Sequence, residues 1–128
     1  MIEPRFLTLE DVLSLHEDQL ERYGGMAGMR DAGGLESAVE TARATFDGQY
    51  LHDGLFAMAA AYAFHIAESQ AFVDGNKRTG LNAALVFLLL NGWLVRDPAW
   101  LSRRGLSMRQ THRAGDKVFI DYLSRIGL

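Results

Sequence analysis

The residues best suited to chemistry lie in one short stretch, Gln70-Ala71-Phe72-Val73-Asp74-Gly75-Asn76-Lys77-Arg78-Thr79-Gly80. Asp74 has the chemistry of a helix N-cap, and Gly75-Asn76-Lys77-Arg78 would then form the first turn of the helix behind it. Amides in a first turn have no partners within the helix, and the helix dipole places partial positive charge there. A helix start prefers acidic side chains, yet Lys77 and Arg78 put full cations at that end. Such cations are unfavourable unless an anion sits among them. Free amides, a glycine that permits close approach and a pair of cations together make a phosphate site. Asp74 beside it is suited to magnesium, which binds one or two carboxylates plus phosphate oxygens. The plainer reading is a simple Asp-Gly-Asn turn with Lys77 and Arg78 pointing to water. Context weighs against it, because the stretch joins the most apolar segments of the chain and Phe72 in its middle would anchor it inward.

Those segments are Leu55–Ile66 and Leu81–Leu90, the second ending at Asn91-Gly92. In the first, Leu55, Phe56, Met58, Tyr62, Phe64 and Ile66 are mixed with alanines on every side, the mark of a helix buried all round. Thr8 to Arg22 reads as an earlier helix, with Thr8 and Asp11 spaced for capping and Leu9, Val12, Leu13, Leu15 and Leu20 as its apolar stripe. Tyr23-Gly24-Gly25 would end it. Gly28 to Gly34 reads as a loop, and Leu35, Ala38, Val39 and Ala42 mark a second amphipathic helix. Phe46 to Gly54 is a glycine-punctuated connection suited to a short hairpin or flap. Trp93 to Val95 suggests a short extended return, Pro98 precedes another short helix, and Val118 to Ile126 reads as a last amphipathic helix. The expected fold is all-α: one compact domain over residues 1–128, a bundle with two central buried helices.

Composition narrows the function. The chain has no cysteine, which excludes thiol catalysis, disulfides and cysteine–zinc sites and fits a reducing cytoplasm. No export signal is evident at Met1–Thr8, and Ala83 to Leu90 is far short of the ~20 residues of a membrane span. The expectation is a cytoplasmic protein with no membrane contact. A net charge of −3 argues against direct nucleic-acid binding. Charge is unevenly spread: residues 1–76 hold 4 basic and 13 acidic residues, and residues 77–128 hold 9 basic and 3 acidic. Either these are solvated helix faces, or the second half receives an anionic ligand or acidic partner.

With these residues in view the chain resembles the Fic/Doc family. The family's pattern is His-x-Phe-x-(Asp/Glu)-Gly-Asn-x-Arg, and Phe72, Asp74, Gly75, Asn76 and Arg78 stand in step with it; Lys77 is the residue typical of the Doc branch. Thr79 and the run Leu88–Gly92 are also similar to that branch. A separate likeness lies in Tyr23-Gly24-Gly25, Gly28, Arg30-Asp31 and Leu35-Glu36-Ser37-Ala38, so that the resemblance covers roughly residues 8–95. It implies an all-helical Fic fold and chemistry on ATP. By position, Asp74 would hold Mg2+, Asn76, Lys77 and Arg78 would hold phosphates, and Gly75 would let the backbone approach them. For the Doc branch the implied activity is transfer of phosphate to elongation factor Tu, which arrests translation and growth and is neutralised by an antitoxin of the Phd type. For the wider Fic class it is transfer of AMP to a protein hydroxyl.

One departure bears on all of this. The motif histidine falls at position 70, where this chain has Gln70. An imidazole would take the proton of the attacking hydroxyl, a role worth typically about 10²–10⁴-fold. A glutamine amide cannot accept that proton near neutral pH, although its oxygen can orient a hydroxyl. His65 lies five residues before position 70 and would point elsewhere on a continuous helix, while His16, His52 and His112 read as ordinary surface residues. The catalytic positions are thus Gln70, Asp74, Lys77 and Arg78, in a transferase disabled at Gln70. The alternatives are an AMP transferase and a non-catalytic module that binds nucleotide or a partner.

Overall fold

Alanine and glycine at the facing surfaces of two long helices set the centre of the molecule. In the computed structural model, which describes residues 3–93, α3 spans Leu55–Ser69 and α4 spans Asn76–Leu90. The small side chains of Ala59, Ala60, Ala63, Ala83 and Ala84 are fully buried, which lets the helix backbones come close. Gly80 marks the tightest point, where a Cβ would lie 2.7 Å from the Ala63 carbonyl oxygen. Larger side chains fill the space around this seam, above all Tyr62, Phe87, Ile66 and Leu88. Each such burial is worth roughly 1.5–3 kcal/mol. The Tyr62 hydroxyl accepts a hydrogen bond from the Leu7 amide at 2.9 Å, and burial pushes its pKa up to about 12.

Two further helices pack on this pair. α1, Leu9–Tyr23, begins with a complete capping box: the Thr8 hydroxyl accepts from the Asp11 amide and the Asp11 carboxylate from the Thr8 amide. It ends at Gly24, whose φ of +76° suits glycine. α2 spans Ala32–Thr41, so the segment expected as loop up to Gly34 is helical from Ala32. Asp31 is the reason. Its carboxylate caps the helix by accepting from the Gly34 amide at 2.8 Å, and a Cβ on Gly34 would run into that carboxylate. The glycines that read as loop are here a first turn shaped to fit its cap.

Between α2 and α3 a two-stranded antiparallel hairpin joins β1, Thr45–Phe46, to β2, Gln49–Tyr50. Its turn is Asp47-Gly48, both at positive φ, the pairing that two-residue hairpin turns favour. The segment before α1 is tied to the far end of α4. Asn91 exchanges hydrogen bonds with the Arg5 backbone at 2.9 and 3.0 Å, and Phe6 stacks on Phe87 with ring centroids 5.8 Å apart. The observed class is all-α, as expected, and among the described residues no helix is long and apolar enough to cross a membrane. The elements anticipated at Leu94–Val95, after Pro98 and at Val118–Ile126 lie outside the described residues, as does His112.

Candidate active site

The connection from α3 to α4 is held from three directions. α3 stops because Gln70 turns left-handed, with φ of +49°. That conformation costs a non-glycine residue on the order of 1–2 kcal/mol, and local bonds offset it. The Gln70 Nε2 donates to the Ala67 carbonyl at 2.8 Å, and the Ser69 hydroxyl donates to Ile66 and accepts from the Ala71 amide. Below, Phe72 is buried at 2 % exposure, the inward anchor that its position suggested. Behind, the Asn76 side chain accepts from the Phe72 amide at 3.0 Å and donates to the Phe72 carbonyl at 2.9 Å, so one side-chain amide brackets one residue's backbone. From outside, the Gly28–Asp31 segment lies along the loop like a strand: Arg30 donates to the Ala71 carbonyl and Val73 to the Gly28 carbonyl. A Cβ at Gly28 would meet Val73 at 2.9 Å, so glycine is what admits this close pairing.

The loop so held forms one wall of a cavity of about 540 Å³. Gln70, Val73, Asp74, Gly75, Asn76, Lys77 and Arg78 line that wall, and Gln19, Leu20, Tyr23, Gly24 and Gly25 at the end of α1 form the other. The structure therefore brings together all six site positions named from sequence, Gln70, Asp74, Gly75, Asn76, Lys77 and Arg78, around one space. The helix start differs from expectation. Gly75, at φ +81°, occupies the N-cap position, α4 begins at Asn76, and no side chain caps it. Asp74 is not the cap. Its carboxylate turns toward α1's end, where one oxygen lies 3.3 Å from the Met26 amide and the other accepts from Gly75 at 3.0 Å. The physical reason is the glycine: a left-handed residue between Asp74 and the helix swings the carboxylate away from the first-turn amides.

Positive charge gathers at the start of α4, next to the carboxylate of Asp74. The first-turn amides of Asn76, Lys77 and Arg78 precede any intrahelical acceptor, and the dipole adds partial positive charge. Among the described residues the ion pairs are Arg22–Asp18 and Arg43–Glu40, neither of which involves Lys77 or Arg78. The Arg78 guanidinium lies instead over the Tyr23 ring, 4.3 Å from its centroid, a contact that orders the charge without neutralising it. An oxyanion entering the cavity would meet amides, dipole and free cations on the same wall.

The model of the Fic/DOC family matches residues 6–88. The chain belongs to the Fic/DOC family. It is 39% identical over 93 residues to the protein kinase doc of Escherichia phage P1, an alignment that covers 73% of each chain. It is 40% identical over 87 residues to toxin Doc of Mycolicibacterium smegmatis, covering 68% of this chain and 65% of that one.

Seen as a Fic/DOC chain, the molecule places two residues at the loop that the sequence reading left out. His16 was expected at the surface; it is buried at 6 % exposure. Its ring lies flat against Phe72, with centroids 3.6 Å apart and planes 8° from parallel, and its Nε2 is 2.8 Å from the Asp74 carbonyl. Tyr23, read as part of a helix stop, orders Arg78. The only sequence trace of His16 is its place one turn after Val12 on the buried stripe of α1. The Asn76 side chain is committed to the loop by its two bonds to Phe72, although the residue lines the cavity. His65 behaves as expected. It sits half-buried away from the cavity beside His52, ring centroids 6.3 Å apart. Burial lowers the pKa of both, and His52 lowers that of His65 further. His52 is thus half-buried, not simply a surface residue.

Proposed function

We propose that this chain is a Doc-like toxin whose cavity takes the phosphates of magnesium-ATP at the start of α4, and whose transfer step is disabled at Gln70. The observation that carries the reading is the uncapped α4 N-terminus bearing Lys77 and Arg78, neither of which is paired to a carboxylate among the described residues. Lys77 and Arg78 hold phosphate oxygens, the amides of the first turn hold others, and Gly75 lets the backbone approach. Membership of the family and the kinase and toxin names of its relatives support transfer of the terminal phosphate to a protein hydroxyl.

Asp74 fits a magnesium ion. It borders the cavity and among the described residues no cation pairs with it; magnesium typically takes one or two carboxylates and completes its shell with phosphate oxygens and water. When bound, the ion would draw off charge that develops on the phosphates.

In the transfer itself the target's hydroxyl oxygen bonds to the terminal phosphorus while the bond to the bridging oxygen breaks, and ADP leaves with that electron pair. The hydroxyl proton must go to a base. Gln70 lines the cavity where that base belongs, but an amide takes no proton near neutrality, and its Nε2–H is turned back to the Ala67 carbonyl. Elongation factor Tu is the proposed target class, and a Phd-type antitoxin the proposed neutralising partner, in a cytoplasmic setting. Growth after matched induction of this chain and its Gln70→His variant in a bacterial host tests the reading. Arrest by the histidine form alone, relieved by the cognate antitoxin, supports it. Arrest by the Gln70 form means another group supplies the base, and two harmless forms that leave translation factors unmodified point to a binding module.

A further inference from the structure

His16 has no part in the transfer step, yet it is a buried polar group bound to the loop. It is buried, it does not line the cavity, and its contacts are to loop residues 56 and 58 positions away. A carbonyl oxygen can only accept, so the nitrogen facing Asp74 carries the ring proton and donates. The stack on Phe72 fixes the plane of the ring and hence the line along which that N–H points. The carbonyl it holds is directed beneath the loop, toward α1.

Gly75 makes that orientation matter. The peptide between Asp74 and Gly75 can rotate by about half a turn if the following residue tolerates both signs of φ, and glycine does. In the observed state Gly75 has φ +81° and its backbone lies against the imidazole, where an added Cβ would be 3.6 Å from Nε2. In the rotated state the carbonyl oxygen, the negative end of the peptide dipole, would leave His16 and turn toward the α4 start. There it would compete with an oxyanion for the first-turn amides and for Lys77.

We propose that His16 is a positioning residue for the anion site: its Nε2–H holds the Asp74–Gly75 peptide in the one orientation that keeps the carbonyl out of the cavity. The inference rests on the phosphate reading above for its functional consequence, but the peptide's orientation is measurable without any ligand.

Two substitutions in the full chain separate the hydrogen bond from the packing. His16→Phe retains a flat ring on Phe72 and removes the donor. His16→Gln removes the ring and retains an amide donor of comparable reach. Calorimetric titration with magnesium-ATP should show affinity at least about tenfold weaker in His16→Phe, although its melting temperature stays close to that of the unaltered chain. His16→Gln should melt lower yet bind within about threefold of the unaltered chain. A purely structural histidine gives the opposite order, with affinity following stability, and that result overturns the assignment. In the free protein, the Gly75 amide-to-Hα couplings should report movement toward negative φ in His16→Phe. A Gly75 that keeps its positive φ there overturns the assignment whatever the nucleotide does. If the unaltered chain takes up no magnesium-ATP, the phosphate reading fails, and the Gly75 couplings alone decide the role of His16. If His16→Phe does not fold, the glutamine variant decides: affinity lost despite its donor overturns the assignment, and affinity kept at lowered stability supports it.

Discussion

The seam between α3 and α4 and the cleft between α1 and α4 are built on the same helix and obey opposite rules. At the seam, Gly80, Ala83 and Ala84 of α4 meet an alanine-rich face of α3, and the large side chains around them are apolar or, like Tyr62, hydrogen-bonded. One turn earlier, α4 begins with a glycine cap, no capping side chain and cations on its positive end. The loop before it contains a left-handed glutamine, and the arginine's partner is an exposed tyrosine ring. The seam minimises its own free energy; the cleft holds several small local costs in place because neighbouring elements over-determine it. Such concentrations of locally unfavourable choices are expected where a ligand supplies the missing stabilisation.

If that contrast is right, mutations should sort by region. The largest effect belongs to the seam. Phe87→Ala removes a fully buried ring and should cost about 3–5 kcal/mol in stability, read by urea unfolding, while the fraction still folded binds anions normally. A Phe87→Ala chain that unfolds normally but binds poorly would blur the division. The cleft should respond the other way. Arg78→Ala, at an exposed position, should change stability by less than about 0.5 kcal/mol but weaken magnesium-ATP binding by about 1.5–3 kcal/mol, the worth of a charged hydrogen bond. Equal affinities in a titration would remove Arg78 from the site.

Within the cleft, Asp74→Asn separates the metal role from a structural one. Because Asp74 is not the helix cap, little stability should be lost, on the order of 0.5 kcal/mol, and the magnesium dependence of nucleotide binding should fade. A collapse in melting temperature with metal dependence intact would return Asp74 to a structural role. A further effect, at the seam, is one of pH. The Tyr62 pKa is raised from its ordinary 10 to about 12, so at alkaline pH the unfolded chain loses this proton first. Stability from Tyr62 is therefore complete below about pH 10 and declines toward about pH 12. Tyr62→Phe should flatten that decline in thermal melts at stepped pH; an unchanged profile would mean another group drives it.

The two regions also differed in how far they could be read from sequence. Seam residues announce themselves through composition and periodicity: alanines mixed with large apolar residues on every side of Leu55–Ile66 admit few environments but a buried one. Local turn chemistry was legible residue by residue in the Thr8–Asp11 box, but at the hairpin only as a glycine-punctuated stretch from Phe46 to Gly54, whose turn falls at Asp47-Gly48. The cleft was legible as a set of positions, since Gln70 and Asp74–Arg78 are contiguous, but not as a geometry. Gly75 took the cap for which Asp74 has the chemistry, because its φ is decided by the loop's tertiary contacts. Asn76 turned its side chain inward to bracket Phe72, four residues back, where the family resemblance implied a phosphate contact. His16 was invisible because its partners are distant in sequence and a histidine in an apolar stripe carries no label for the carbonyl it will meet. Gly33 and Gly34 read as loop because the capping carboxylate of Asp31 is what makes glycine fit a helical turn.

On the reading proposed above, the cleft binds nucleotide phosphates while Gln70 withholds the base. Binding and chemistry thus separate at a single position, and purified protein tests this directly. Histidine tolerates the left-handed backbone at position 70 better than most residues, so Gln70→His should fold, at the cost of the side-chain bond to the Ala67 carbonyl. Magnesium-ATP labelled on its terminal phosphate should bind this chain and the Gln70→His chain with affinities within about threefold of each other. Labelled phosphate should pass to a protein hydroxyl in a translation extract only with the histidine form, faster by about 10²–10⁴-fold. Affinity that appears only with the histidine, or equal labelling by both forms, would contradict the account.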